Sequence, residues 1–239
     1  MYDAEIGGER WTFGTSGYLY QSNKLMYDRK TQSLWQSFTG EPVIGRLAYS
    51  GLRLRLIPIS VTTWADWLAE HPDTTVLSDQ TGFRFTYEKP GTPGSQYFEY
   101  YASPDVMFPA YVQSTSLPPK SDVLGLEIGG NAKAYPVAVL ARQRVVNDVL
   151  GGTGIVIAAD SEGRDAKAYL AQGHVFLQGA KDREIVDEAG EAWLVADDAL
   201  VMRGDSSVTL ERISGYVAFW FGWYASRPHT EVYEPTGGG

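Results

Sequence analysis

The 239-residue chain contains no cysteine, which excludes disulfides, thiolate-bound zinc and a cysteine nucleophile. The absence leaves the compartment open, because a cysteine-free chain suits either redox environment. Histidine is nearly as scarce, at three, and no two of His71, His174 and His229 are neighbours in sequence. A metal site asks for paired histidines or a histidine with spaced carboxylates. No metal and no cofactor is therefore read from the chain, and the three are expected to be ordinary surface or helix-end histidines. Basic charge is short as well: 20 Lys and Arg stand against 29 Asp and Glu, a net charge of −9. Nucleic acid and anionic membrane surfaces both require clustered cations, so neither is expected as a partner. No run approaches the ~18 apolar residues of a membrane span. No signal peptide is read either; MYDAEIGGERW reads as strand, turn, strand.

What the chain has in quantity is aromatic side chains, 13% of residues with fifteen Tyr and seven Trp. Such rings pack well across a pleated sheet and favour strands. Two segments resemble each other: TTWADWLAEHPDTTVL (62–77) and AFWFGWYASRPHTEVY (218–233). Trp64, Trp67, Pro72, Thr74 and Val76 match Trp220, Trp223, Pro228, Thr230 and Val232 at one constant offset. At that offset Phe13, Gly17 and Tyr20 fall on Tyr169, Gly173 and Phe176; with small length changes Asp28 matches Asp187 and Trp35 matches Trp193. Such self-similarity predicts an internal duplication.

Within each copy, the Trp segment predicts an amphipathic helix. Val61, Trp64, Trp67, Leu68 and His71 share one face of a 3.6-residue period, as do Tyr216, Trp220, Trp223, Tyr224 and Arg227. Thr63 and Asp66 form a near capping box, Pro72 and Pro228 stop the helices, and TTVL then reads as strand. All four tryptophans are expected in the core. GLRLRLIPIS predicts core leucines (52, 54, 56) alternating with solvent-facing Arg53 and Arg55. GGTGIVIAAD predicts a buried strand, and DSEGRD (160–165) a hairpin turn, since Gly163 comes too early for a calcium loop. Asp197 and Asp198 are expected to be solvated charge. The expected fold is α+β: two related β-rich units, 1–87 and 123–239, in pseudo-twofold arrangement about a Pro- and aromatic-rich connector, 88–122.

The series FGTSGYLYQSNKLMYDRKTQSLW, TTWADWLAEHPDTTVL, AKAYPVAVL…VVND and the closing FWFGW…P.T.VY resembles a bacterial and archaeal family of unknown function, DUF3179. The likeness covers nearly the whole chain. Members look exported, so the resemblance implies an extracytoplasmic, periplasmic place. A YCPLC-type segment precedes the first strand in that family and is not in this sequence, so no role resting on its cysteines carries over. The repeat points the same way, since the second copy has about thirty-five residues ahead of the position equivalent to Met1. The expectation is a first unit short of its N-terminal part, with an open edge that favours an oligomer or larger complex.

Candidate chemistry is sparse. GTSG (14–17) lacks the second glycine of a nucleophile elbow, because Tyr18 holds that place, and reads as a strand bend. Polar and aromatic groups concentrate in the first copy: Ser16, Tyr20, Asn23, Tyr27, Asp28, Arg29, Ser33 and Trp35. What both copies share (Asp28/Asp187, Trp35/Trp193) is explained by folding, although Trp35 and Trp193 each end a polar strand and suit a cleft wall. The leading reading is a cell-envelope module binding a small molecule or peptide in a polar-aromatic cleft formed by these eight residues. The alternatives are a hydrolase-type enzyme using Ser16, Asp28 and Arg29, and a scaffold subunit of an envelope assembly.

Overall fold

Glycine pairs and polar turns divide the N-terminal sixty residues into short strands. Gly7 and Gly8, both at positive φ, join β1 (Glu5–Ile6) to β2 (Glu9–Arg10) as strand, turn, strand. A four-stranded antiparallel meander follows: β3 (Phe13–Tyr20), β4 (Asn23–Asp28), β5 (Leu34–Gln36) and β6 (Pro42–Ile44). GTSG is a strand bend as expected, with Gly17 at φ +80° and a register shift between Thr15 and Leu19. Two short helices come next, α1 (Trp64–Glu70) and α2 (Phe98–Ala102). The structure, a computed structural model, describes residues 1–78, 80–82, 91–181 and 183–235.

The C-terminal half begins with the hairpin β7 (Asp122–Ile128) and β8 (Asn131–Pro136), then α3 (Val137–Gln143) and the hairpin β9 (Val145–Leu150) and β10 (Thr153–Ala158). Six strands continue the chain: β11 (Lys167–Leu170), β12 (Phe176–Gln178), β13 (Glu184–Asp187), β14 (Ala192–Val195), β15 (Ala199–Met202) and β16 (Thr209–Ile213). The chain closes with β17 (Gly215–Phe219), α4 (Trp220–Ser226) and β18 (Glu231–Val232). The protein is thus β-rich α+β, built on several sheets. DSEGRD is the β10–β11 hairpin connection.

Strands β12-β13-β14-β15-β16-β11-β10-β9 form one antiparallel sheet. Its two end strands are tied by a side chain: Phe176 N donates to Asn147 Oδ1 at 2.8 Å, and Asn147 Nδ2 donates to the Phe176 carbonyl at 2.7 Å. The sheet therefore curls on itself like a barrel, filled by Val156, Tyr169, Phe176, Ile185, Trp193, Leu200 and Leu210. Along β10 the side chains alternate between two cores. Val156 and Ala158 enter the barrel, while Ile155 and Ile157 pack outward with Leu124, Leu126, Tyr135 and Leu140. This is why GIVIA reads as an uninterrupted apolar run: both faces are buried.

Strand β7 has the same double burial. It lies in the sheet β17-β7-β8-β18, with Leu124 and Leu126 toward the barrel and Val123 toward α4. Helix α4 buries Trp220 and Trp223 against Val123, Ala132 and Ala134. Trp223 lies so close to β7 that a Cβ added at Gly125 would sit 2.3 Å from its ring.

By internal packing the chain separates into Met1–Val61 with Phe108–Gly239, and Thr62–Met107. The segment 62–107 contains α1 and α2 and, among its described residues, no strand. Helix α1 has the expected cap: Thr63 Oγ1 accepts from Asp66 N at 3.1 Å and donates to its carboxylate at 2.6 Å. Two expectations for this segment fail. Trp64 is 50% exposed and Trp67 only half-buried, and the described residues of the segment offer no sheet on which the helix face would close. TTVL forms no strand, whereas its counterpart supplies β18, paired in parallel with β8. Tyr216 also differs from expectation, lying on β17 rather than on the helix. In GLRLRL, Leu54 is buried but Leu52 and Leu56 only partly so, and an isolated bridge from Leu56 to Tyr2 replaces the expected strand.

Trp223→Ala is expected to destabilise the fold by about 3–5 kcal/mol through the cavity it leaves. Trp64→Ala should stay within about 0.5 kcal/mol. Gly125→Ala should cost about 1–3 kcal/mol by overpacking. Urea melts of the three variants check this ranking, and a silent Gly125→Ala would contradict the close approach of α4 to β7.

Candidate functional site

The eight residues singled out in the first copy divide by accessibility. Asp28, Ser33 and Trp35 have no exposed surface. Asp28 is the centre of a closed knot: its carboxylate accepts from Trp35 Nε1 at 2.9 Å, Thr31 Oγ1 at 2.8 Å, Ser33 N at 3.1 Å and the Thr31 backbone. Ser33 Oγ shares a hydrogen bond with Thr31 Oγ1 and accepts from Leu47 N at 3.1 Å. No ligand reaches these three without opening the fold. The cleft role suggested for Trp35 and Trp193 is corrected by the same fact, since both rings are fully buried; a strand that looks polar in sequence hides its indole behind a buried carboxylate.

The remaining five do not converge on the knot. Ser16 donates to the Leu25 carbonyl at 2.7 Å and accepts from Tyr18 N, which pins the strand bend. The Asn23 amide oxygen is enclosed without a hydrogen-bond partner among the described residues. Tyr27 covers Gly14 and lies under the exposed Arg29 guanidinium, 5.4 Å from its ring centre. Tyr20 projects outward from the end of β3. Asp28 and Arg29, adjacent in sequence, are thus directed to the interior and to solvent respectively.

The knot has a counterpart in the barrel. Asp187 accepts from Trp193 Nε1 at 2.9 Å and from the amides of Ala189 and Glu191. Phe13 meets Trp35 edge-on at 5.5 Å, and Phe176 meets Trp193 edge-on at 5.7 Å. Phe13 pairs with Asp28 across its ladder as Phe176 pairs with Asp187. In space, then, Phe13 corresponds to Phe176, not to Tyr169 as the constant offset suggested. His174 stacks near this second knot, 3.7 Å from Asp187, while His229 is exposed.

A cavity of about 430 Å³ lies elsewhere, where residues of the N-terminal sixty meet β7, β17 and α4. Its polar base is an Arg-Glu-Arg bridge. Arg53 grips Glu127 with both terminal nitrogens, each at 2.9 Å, and Arg227 Nε donates to the same carboxylate at 2.6 Å. Arg53 Nε is held by the Thr39 carbonyl at 3.0 Å. Arg227 sits at the end of α4, where Pro228 stops the helix, and its guanidinium covers the Trp223 ring at 4.3 Å. The phenols of Tyr2 and Tyr216 are hydrogen-bonded to each other, and Tyr2 donates to the Ser37 carbonyl at 3.0 Å. The turn Gly129-Gly130, at φ +58° and +81°, lines the same cavity without side chains.

Electrostatics follows from this packing. The Arg53 hydrogen bonds, against some opposition from burial and with help from Arg227, hold the Glu127 carboxyl down at about 2. Burial pushes the Tyr2 phenol upward, and its contact with Tyr216 adds to this, so both hydroxyls stay neutral donors and acceptors at physiological pH. Sequence reading placed Arg53 and Arg55 in solvent and Arg227 at a helix end; it had no signal that Glu127 would join two of them. A second ionic cluster was also missed. Lys167 is buried and pairs with Asp165 and, at 3.6 Å, with Asp197. Asp197 also accepts from Ser60 Oγ at 2.6 Å, so it is not the solvated charge expected of it.

Asp28 and Asp187 supply a pH test. Burial pushes each carboxyl up, but the indole and the neighbouring donors outweigh it and hold both below the ordinary 3.8. The stabilisation from such depressed groups is present above about pH 3.8 and is lost as pH falls through their lower folded values. Glu127 acts the same way between 4.5 and about 2. Urea unfolding of the wild type should therefore weaken steeply on acidification below pH 4. Asp28→Asn should lower stability at pH 7 and flatten that slope; an unchanged slope would remove Asp28 from this role.

No curated protein and no solved structure matches the chain. A family model does, from residue 1 to residue 230, and the chain belongs to that family, DUF3179, a protein family of unknown function.

Proposed function

We propose that the protein binds a small molecule in the cavity lined by Tyr2, Arg53, Glu127, Tyr216, Trp223 and Arg227. One observation carries the reading: about 430 Å³ of space beside a polar base whose side chains are already locked in place. Ligand sites are concave, a few hundred Å³ or more, with a few fixed polar groups among apolar walls. Leu54, Leu56 and Ile213 supply apolar wall here. The site differs from the N-terminal cleft expected from sequence. Ser16, Asp28 and Arg29 are not assembled with one another, so the hydrolase alternative has no geometric support. A place in the cell envelope is part of the proposal and rests on the resemblance alone; among the described residues no helix is long and apolar enough to cross a membrane.

The proposal includes an internal duplication. Its support is the repeated Phe-Asp-Trp knot and a repeated helix-end bond, Trp67 Nε1 to Thr74 Oγ1 at 3.0 Å and Trp223 Nε1 to Thr230 Oγ1 at 2.9 Å. On this reading the elements present twice serve folding. The charged base of the cavity has no such repeat, because Arg227 stands where the other copy has His71.

Self-association has one observation in its favour: β3 is an edge strand, and Tyr18, Leu19 and Tyr20 on it are exposed. Sedimentation of the chain is expected to show species larger than a monomer, and Leu19→Lys should shift them to monomer.

Binding is tested by fragment screening with NMR, following the backbone amides of Gly129 and Gly130 and the Trp223 indole. Fragments are expected to move these signals together, and Ser214→Phe, which fills the cavity from its wall, should abolish the response. Fragments that shift only surface signals far from Trp223 would sink the proposal.

A further inference from the structure

Resting on that reading of the cavity, we infer that its ligand is an anion, a carboxylate or similar oxyanion with a small apolar body, bound at the guanidinium of Arg227 opposite Glu127. Charge is the first ground. The charged residues lining the cavity are Arg53, Arg55, Arg227 and Glu127, a cationic lining in a protein whose net charge is −9. Asp3 neutralises Arg55 from outside the cavity, and Glu41 stands 3.7 Å from Arg53 on an exposed side chain. At the base, two guanidinium groups face one carboxylate.

Unused donor capacity is the second ground. Arg227 is only 4% exposed, and a buried guanidinium ordinarily satisfies its donors. Nε serves Glu127 at 2.6 Å and Nη2 serves the Phe38 carbonyl at 3.3 Å, but the enclosed Nη1 has no hydrogen-bond partner among the described residues. A buried donor left without an acceptor is destabilising, so an acceptor that reaches Nη1 gains what the free protein forgoes. Arginine matches carboxylate and other planar oxyanions by its fork of donors.

Shape is the third ground. Trp223 and Tyr216 fix the guanidinium from its ring-facing side, 4.3 and 5.7 Å from their centres. Leu54, Leu56 and Ile213 leave apolar wall for the rest of the ligand. Beside the Gly129-Gly130 turn, which lines the cavity, there is open space: added Cβ atoms would meet nothing within 4 Å. A polar anion head with a compact hydrocarbon body fits this division; a cation would face Arg53 and Arg227.

Three probes with one ring and three charges test it: benzoate, benzamide and benzamidine, titrated into the full chain with NMR readout at the Trp223 indole and the Gly129 and Gly130 amides. Benzoate is expected to bind, benzamide at least tenfold more weakly, on the order of the gain from one charge-assisted pair, and benzamidine not at all. Glu127→Gln removes the competing carboxylate and should tighten benzoate several-fold. Arg53→Met, at a more exposed position that leaves Arg227 in place, should weaken it several-fold and keeps the test decisive where Glu127→Gln does not fold. Benzamide or benzamidine binding as tightly as benzoate, or Glu127→Gln weakening benzoate, overturns the anion inference and leaves a binding cavity. Silence of all three probes at these signals overturns the cavity reading as well.

Discussion

Trp223 lies against strand β7 only because residue 125 has no side chain. From that contact the rest of the site follows in order. The ring sets the height of α4 over the sheet, and the helix ends one turn later at Arg227, before Pro228. The guanidinium then rests on the same ring and meets Glu127, two residues beyond Gly125 on β7. Any side chain at 125 would lift the helix and separate Arg227 from its carboxylate. A packing constraint thus determines an electrostatic arrangement.

That arrangement is firmly held, since Glu127 accepts from two guanidinium groups. Burying charge is unfavourable unless it is paired and hydrogen-bonded, and removing one partner of such a bridge leaves an uncompensated ion. Here the bridge also joins distant parts of the chain, with Arg53 from the N-terminal sixty residues and Arg227 from the end of α4 both meeting β7. The Tyr2–Tyr216 hydroxyl pair joins the same regions a second time. The cavity is therefore bounded by contacts that also hold these segments together.

The Asp-Trp knots follow a different logic. Each buries an indole N–H and a carboxylate together, where each would be unfavourable alone. Phe13 and Phe176 close the knots edge-on, so strand, turn and strand are locked at one register. This explains why Asp28, Ser33 and Trp35, the most functional-looking cluster in the chain, are inaccessible: polar residues concentrated around a turn were satisfying one another.

The sequence by itself determined the local periods. Doubly buried strands such as GIVIA, the capped helix at Thr63, the Trp pair of α4 and the strand-turn-strand opening all follow from spacing and turn chemistry, which act between near neighbours. It also yielded the family, through patterns distributed along almost the whole chain. Only the tertiary structure decided what each period faced. Two Trp helices of like spacing have different burial, because Trp220 and Trp223 find the β7–β8 sheet while α1 belongs to a segment whose described residues include no strand. Arg53, Glu127 and Arg227 are far apart in sequence, and only Glu127 lies on a strand; nothing local in a chain encodes a meeting of charges that depends on how close a helix can approach a glycine.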